Sequence, residues 1–119
     1  MSISDKSLRS PNDYLPLSPQ ELQVMLVLCD RPLHGYGIVK ASRDETGRSV
    51  LDLGTLYRII SRMMRRGLIE DAPAPTGDSQ RRRRYYRTTE LGRKVARAEA
   101  LRLKGLLESR VTALLLEDA

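Results

Sequence analysis

No hydrophobic period emerges before residue 18. Residues 1–17 are polar, with Pro11 and Pro16, and read as an arm with no pattern of its own, mobile unless docked. Ser18-Pro19-Gln20-Glu21 then has the form of a helix start: Ser18 caps, Pro19 suits the first turn and Glu21 completes a capping box. Leu22, Met25, Leu26 and Cys29 follow at helical spacing, and Pro32 ends this first helix near Asp30. A second helix is predicted over residues 35–46, with Tyr36, Ile38 and Val39 as its apolar side, Gly37 as a weak point and Gly47 as its C-terminal cap. A third starts at an Asp52 cap and runs to Arg66. Leu53, Leu56, Ile60, Met63 and Met64 make its buried stripe, Arg58, Arg62, Arg65 and Arg66 line the other side, and Gly67 stops it.

Beyond Gly67 the period changes. Leu68 to Ala72 predicts a short strand, and residues 73–80 have loop composition. Residues 81–88 predict a returning strand, in which Tyr86 and Thr88 share a face and Tyr86 packs inward. The two strands make a hairpin. Thr89 caps a final helix that reaches about Glu117, a length of about 42 Å at 1.5 Å per residue. It carries one apolar stripe at Ala96, Ala100, Leu103, Leu107, Val111 and Leu114, and a second at Leu91, Val95 and Ala98. One small domain cannot bury both stripes, so they are assigned to an interface, with Leu103, Leu107, Val111 and Leu114 as its candidates.

The element order predicts a mainly α fold with a small β-hairpin. It divides into the N-terminal arm (1–17), a winged helix-turn-helix (18–88) and a long C-terminal dimerisation helix (89–119). The chain's 119 residues suit one such unit. No apolar stretch is long enough to span a bilayer, and residues 1–10 lack a signal-peptide core, so the expected location is cytoplasmic. A lone Cys29 reads as a small buried hydrophobe, and a lone His34 reads as a helix-entry residue rather than a metal ligand. With no His-paired nucleophile and no Gly-rich phosphate loop, the chain is expected to be neither an enzyme nor a cofactor binder.

Charge sharpens this picture. Residues 1–51 carry six Lys/Arg and six Asp/Glu, residues 52–93 carry ten and five, and residues 94–119 carry five and four. The formal net charge of +6 therefore sits almost wholly in the middle segment, where residues 81–84 are four consecutive arginines. Such a run can be a merely solvated one. Beside a helix with an arginine face, it is the footprint of a polyanion-binding surface. A single helix fits the major groove, and a Gly/Pro-tipped hairpin can flank it and reach phosphates or the minor groove. Double-stranded DNA is the expected partner. A winged helix that docks a protein through its basic face, or one that binds RNA, remains open.

Four short motifs also carry a family resemblance: Leu33-His34-Gly35-Tyr36, Gly54-Thr55-Leu56-Tyr57, residues 65–70 (Arg-Arg-Gly-Leu-Ile-Glu) and residues 84–93 (Arg-Tyr-Tyr-Arg-Thr-Thr-Glu-Leu-Gly-Arg). In that order and spacing, over roughly residues 20–95, the chain resembles the PadR family of bacterial transcriptional regulators, in its smaller subgroup with one C-terminal helix. The resemblance implies a homodimeric repressor on a pseudo-palindromic operator. It also implies a C-terminal helix forming much of the dimer interface, and relief by a small aromatic effector. Carried onto this chain, it places Thr55, Tyr57, Arg58 and Arg62 of the third helix, with Arg81, Arg82, Arg83 and Arg84 of the wing, against DNA. Tyr36 is a further candidate for a phosphate contact, and Tyr57 is open between core and DNA. The chain departs from the family pattern at Gly37, at Arg58, where proline is frequent, and at Thr88, and it has no Trp on the dimer helix to stack on an effector.

Overall fold

A computed structural model describes residues 9–46, 51–75, 77 and 83–117. Gly47, Arg81, Arg82 and the first eight residues of the arm lie outside the described residues. The first described segment differs from expectation. Residues Pro11–Tyr14 form a 3-10 turn capped by Ser10, and Leu17 is buried, so this part of the arm is docked. Its order comes from a local capping box and from long-range contacts, neither of which leaves a hydrophobic period.

Helix α1 (Pro19–Asp30) starts with the predicted capping box: Glu21 N donates to Ser18 Oγ at 3.1 Å, and Ser18 N donates to Glu21 Oε1 at 2.8 Å. Its buried side is Val24, Met25, Val27 and Leu28, whereas Leu26 is half exposed and Leu22 and Cys29 only partly covered. Strand β1 (Leu33–His34) was not foreseen. It has two residues, too few for a period, and is defined only by pairing with a distant strand. Helix α2 (Gly35–Thr46) buries Ile38 and Val39, but Tyr36 points outward at 63% exposure.

Helix α3 (Leu53–Arg65) buries Leu56, Ile59, Ile60 and Met63. Leu53, at its first position, is exposed rather than part of the stripe, and Met64 is partly buried. The helix ends in a Schellman turn. Gly67 takes a φ of 78°, its N–H donates to Met64 O, and Leu68 N donates to Met63 O, both at 3.0 Å.

Strands β2 (Ile69–Ala72) and β3 (Tyr85–Thr88) pair antiparallel, with Ile69 opposite Thr88 and Ala72 opposite Tyr85. Of the strand expected over residues 81–88, residues 81 and 82 lie outside the described residues, Arg83 and Arg84 stand before the strand, and Tyr85–Thr88 form it. Tyr86 packs inward as expected, and Tyr85 is buried as well, because β1 covers β3 on its second edge. The sheet order is β1-β3-β2.

The last helix is two helices. Helix α4 (Glu90–Leu107) stops at Glu108, and helix α5 (Arg110–Glu117) restarts after Ser109, whose Oγ accepts from Thr112 N at 3.3 Å. Ser109 supplies an N-cap mid-sequence, and Gly105 weakens the turn before it, so the single 42 Å rod is interrupted. The overall architecture is a mainly helical winged helix-turn-helix with a small antiparallel sheet. Its core lies where α1, α2, α3, the sheet and the first half of α4 meet, around Met25, Ile38, Leu56, Met63, Leu68 and Val95.

Candidate nucleic-acid interface

The N-terminal end of α3 is fixed by Asp52, whose Oδ1 accepts from Thr55 N at 2.8 Å and whose Oδ2 accepts from Thr55 Oγ1 at 3.2 Å. These bonds from Thr55, chiefly that of its backbone N–H, hold the Asp52 carboxyl below the usual carboxylate range. Thr55 thus spends its hydroxyl proton on the cap, and only its acceptor lone pairs remain for a base or phosphate. Past this turn the helix presents an outward stripe of Gly54, Arg58, Ser61 and Arg65, all exposed and spaced four, three and four apart. Among the described residues, neither Arg58 nor Arg65 forms an ion pair within 4.0 Å.

Arg62 is placed differently from those two. Its Nη2 lies 3.2 Å from Glu21 Oε2, and Arg66 Nη1 reaches the same oxygen at 3.5 Å. Glu21 is buried, with its other oxygen in the capping box of α1. One carboxylate therefore starts α1 and anchors the C-terminal half of α3, and half of Arg62 remains open to solvent.

Tyr57 is half packed and half exposed. Half its surface is exposed, while its hydroxyl end lies directly over Gly35, leaving no room there for a side chain. Gly35 of the Leu33-His34-Gly35-Tyr36 motif and Tyr57 of the Gly54-Thr55-Leu56-Tyr57 motif are thus one packing contact, between the start of α2 and the first half of α3. His34 caps α2 by accepting from Gly37 N at Nδ1 (3.0 Å), and the Tyr85 ring meets its imidazole edge-on at 5.2 Å. The helix-entry role expected of His34 is the one it plays. On the outer side of α2, Tyr36 stands in line with exposed Lys40 and Arg43, four and three residues further on. Sequence reasoning passed over both cations, although their spacing from Tyr36 was the available signal.

The wing divides its arginines. Arg84 lies across the hairpin on Asp71, with Nη2 and Nε 2.8 and 2.9 Å from Oδ1, and its guanidinium stacks 5.4 Å from the Tyr86 ring. Burial raises the Tyr86 pKa, and the nearby Arg84 charge opposes that rise. Arg87 pairs with Glu70, its direct register partner, at 2.8 Å. Arg83 is exposed, with Nη1 3.0 Å from His34 Nε2. Among the described residues, Arg58 and Arg65 on α3 and Arg83 at the wing base are thus exposed cations that make no ion pair within 4.0 Å.

Leu103 is half-buried, and Leu107, Val111 and Leu114 are exposed, on the part of α4 and α5 that leaves the domain. Among the described residues no helix is long and apolar enough to cross a membrane, and no three His, Cys, Asp or Glu side chains gather as a metal site needs.

The family model of the "Transcriptional regulator PadR-like family" matches residues 24–98. No curated protein matches the chain. Among solved structures, a PadR family transcription regulator from a hypervirulent Clostridium difficile strain is 26% identical, aligned over 81% of this chain and 96% of that one, with a TM-score of 0.66. A transcriptional regulator from Clostridium thermocellum is 26% identical over 74% of this chain and 85% of that one, with a TM-score of 0.62. A PadR-like transcriptional regulator from Bacillus cereus shares the fold at 20% identity, over 81% and 90% of the two chains, with a TM-score of 0.65. The chain therefore belongs to the PadR-like family of transcriptional regulators, DNA-binding proteins rather than enzymes.

Proposed function

We propose that this regulator is a cytoplasmic repressor that binds a pseudo-palindromic operator as a homodimer. The observation that carries this reading is the outward stripe of α3, in which Arg58 and Arg65 are exposed and make no ion pair within 4.0 Å among the described residues, while the opposite side of the helix packs in the core. In this reading α3 enters the major groove. Arg58 reads a base edge, Thr55 and Tyr57 flank it, and Arg62 contacts a phosphate while buttressed by Glu21. Tyr36, Lys40 and Arg43 meet the backbone on one side. Arg83, with Arg81 and Arg82, meets it on the other. Arg84 serves mainly to brace the wing through Asp71. Two copies joined through Leu103, Leu107, Val111 and Leu114 would set their α3 helices about 34–36 Å apart, one DNA turn. Repression follows from occupying the promoter.

A small aromatic effector would act by favouring one dimer geometry over another. A surface hollow of about 430 Å³, floored by Leu26, Cys29, Ala96 and Ala100 and rimmed by Arg93 and Arg97, suits a flat apolar body with an acidic group.

The test is selection of bound duplexes from a random pool at physiological salt, followed by salt titration. A palindromic motif with half-sites one turn apart is expected. Arg58→Ala should then relax preference at one base position by about 1–3 kcal/mol. Arg81→Ala combined with Arg83→Ala should weaken binding to all duplexes and flatten the slope of log K against log[salt] by about 2. Weak, salt-abolished binding without an enriched motif would leave the wing as a polyanion patch and favour a protein partner.

A further inference from the structure

We propose that residues 10–17 are a strap that fixes the angle between α4 and α3, and that Tyr14 and Glu99 are positioning residues for operator recognition. The consequence for DNA rests on the functional reading above, but the geometry does not.

Glu99 is 1% exposed and is the last buried residue of α4. Its carboxylate needs partners that deep, and it has two. Arg102 grips it from the next turn, with Nε 2.6 Å from Oε1 and Nη2 3.2 Å from Oε2. Leu17 N donates to Oε2 at 2.8 Å. The backbone of the strap is therefore pinned where α4 leaves the domain. The strap is also self-ordered: Ser10 N donates to Asp13 Oδ2 at 3.0 Å, Asn12 N to Ser10 Oγ at 3.3 Å, and Leu15 N to Asn12 O at 3.2 Å.

Its other contact reaches α3. The Tyr14 ring meets two guanidinium groups, Arg9 at 5.7 Å and Arg66 at 5.3 Å from its centroid. Arg66 caps the C-terminal end of α3 and shares Glu21 with Arg62. The path from Glu99 through Leu17 and Tyr14 to Arg66 thus joins the exit of the proposed dimer helix to the end of the proposed recognition helix.

The angle matters because α4 is a lever. A tilt of about 10° at Glu99 moves the end of α4, roughly 12 Å further along, by about 2 Å. Phosphate contacts tolerate such a shift, since every register offers phosphates. Base reading by two helices at one spacing does not. A loosened strap should therefore harm specific binding and spare non-specific binding.

The experiment uses the full chain as Tyr14→Ala, Tyr14→Phe and Glu99→Gln, with affinities for the selected operator and for a random duplex of equal length. Tyr14→Ala and Glu99→Gln should lose operator affinity by roughly three- to thirtyfold, the range for residues that couple distant sites. Random-duplex affinity should stay unchanged, and Tyr14→Phe, which keeps the ring, should bind as wild type. An unchanged ratio in either folded variant, or an equal fall on both duplexes, overturns the proposal.

A second readout does not depend on DNA. Spin labels at Ser61→Cys on α3 and Lys104→Cys on α4, in a Cys29→Ser background diluted with unlabelled protein, report the angle within one protomer. Tyr14→Ala or Glu99→Gln should shift or broaden that distance. An unchanged distribution refutes the strap even if the wild-type protein prefers no operator, a result that would sink only the functional reading.

Discussion

Two regions of this chain treat the same residue types in opposite ways. From Leu17 to Ala96, leucine, isoleucine, valine and methionine are mostly inside. Met25, Ile38, Leu56, Met63, Leu68 and Val95 are sealed from solvent, and the few exposed exceptions, such as Leu26 and Leu53, stand singly. From Leu101 onward the rule reverses. Leu101, Leu107, Val111, Leu114 and Leu115 are between 49% and 67% exposed, over the last turns of α4 and the length of α5. Scattered exposed leucines need no explanation, but this many within one short stretch of chain do. The winged domain completes its core alone, whereas the C-terminal helices carry an apolar face the protomer cannot cover. In the dimer proposed above, that face is closed by a second copy. Arg58, Arg65 and Arg83, exposed and without an ion pair within 4.0 Å among the described residues, belong to the self-sufficient region, and the uncovered apolar surface belongs to the other.

The sharpest way to break this comparison is to remove atoms from each side. Leu56→Ala should destabilise the protein by about 2–5 kcal/mol, through lost transfer free energy and the cavity left behind, measured by urea unfolding. Leu115→Ala, measured at concentrations where the chain is monomeric, should change stability by no more than about 0.5 kcal/mol. If the two losses were alike, α5 would be packing on its own domain and the contrast would fail. Next in size is assembly. Leu107→Asp or Val111→Asp should convert a dimer to monomers in sedimentation while the far-UV helical signal of the winged domain persists, because a carboxylate placed in an apolar contact must be desolvated without a partner. An intact dimer would move the interface away from this face.

How much of this was legible in the sequence depended on how local its cause was. The capping box at Ser18 and Glu21, the Asp52 cap and the Gly67 stop are set by residues within a few positions of one another, and they stand where pattern reading put them. The strand β1 could not be read, because Leu33 and His34 become a strand only by meeting Tyr86 and Tyr85 some fifty residues later. The strap was hidden for the same reason, its anchor being a carboxylate 82 residues away. In the site, the stripe was legible but its pairing was not. Arg58 and Arg62 look alike on a helical projection, yet a buried Glu21 from another helix claims one and leaves the other. Some local cues were missed as well: Ser10 and Asp13 form a capping box, and Ser109 is a capping residue whose signal the regular leucine spacing across it outweighed.

The smallest expected effect lies on the seam itself, at Glu99, where the self-sufficient region ends. The Arg102 guanidinium, aided by the Leu17 N–H, holds the Glu99 carboxyl below the usual carboxylate range, against the opposing pull of burial. A carboxyl whose pKa is lower in the folded than in the unfolded chain contributes stability that is complete above its unfolded value, about 4.3. That contribution is lost as pH falls through the lower folded-state value. Wild type should therefore lose stability on acidification below about pH 4.3 more steeply than Glu99→Gln, whose amide does not titrate. Comparing the two in urea series from neutral to acid pH cancels every other carboxylate. Converging curves at low pH would place the seam's strength in the ionised Glu99. Parallel curves would mean that the strap is held by packing of Tyr14 and Leu17 alone, and that the boundary between the two regions is as apolar as the core behind it.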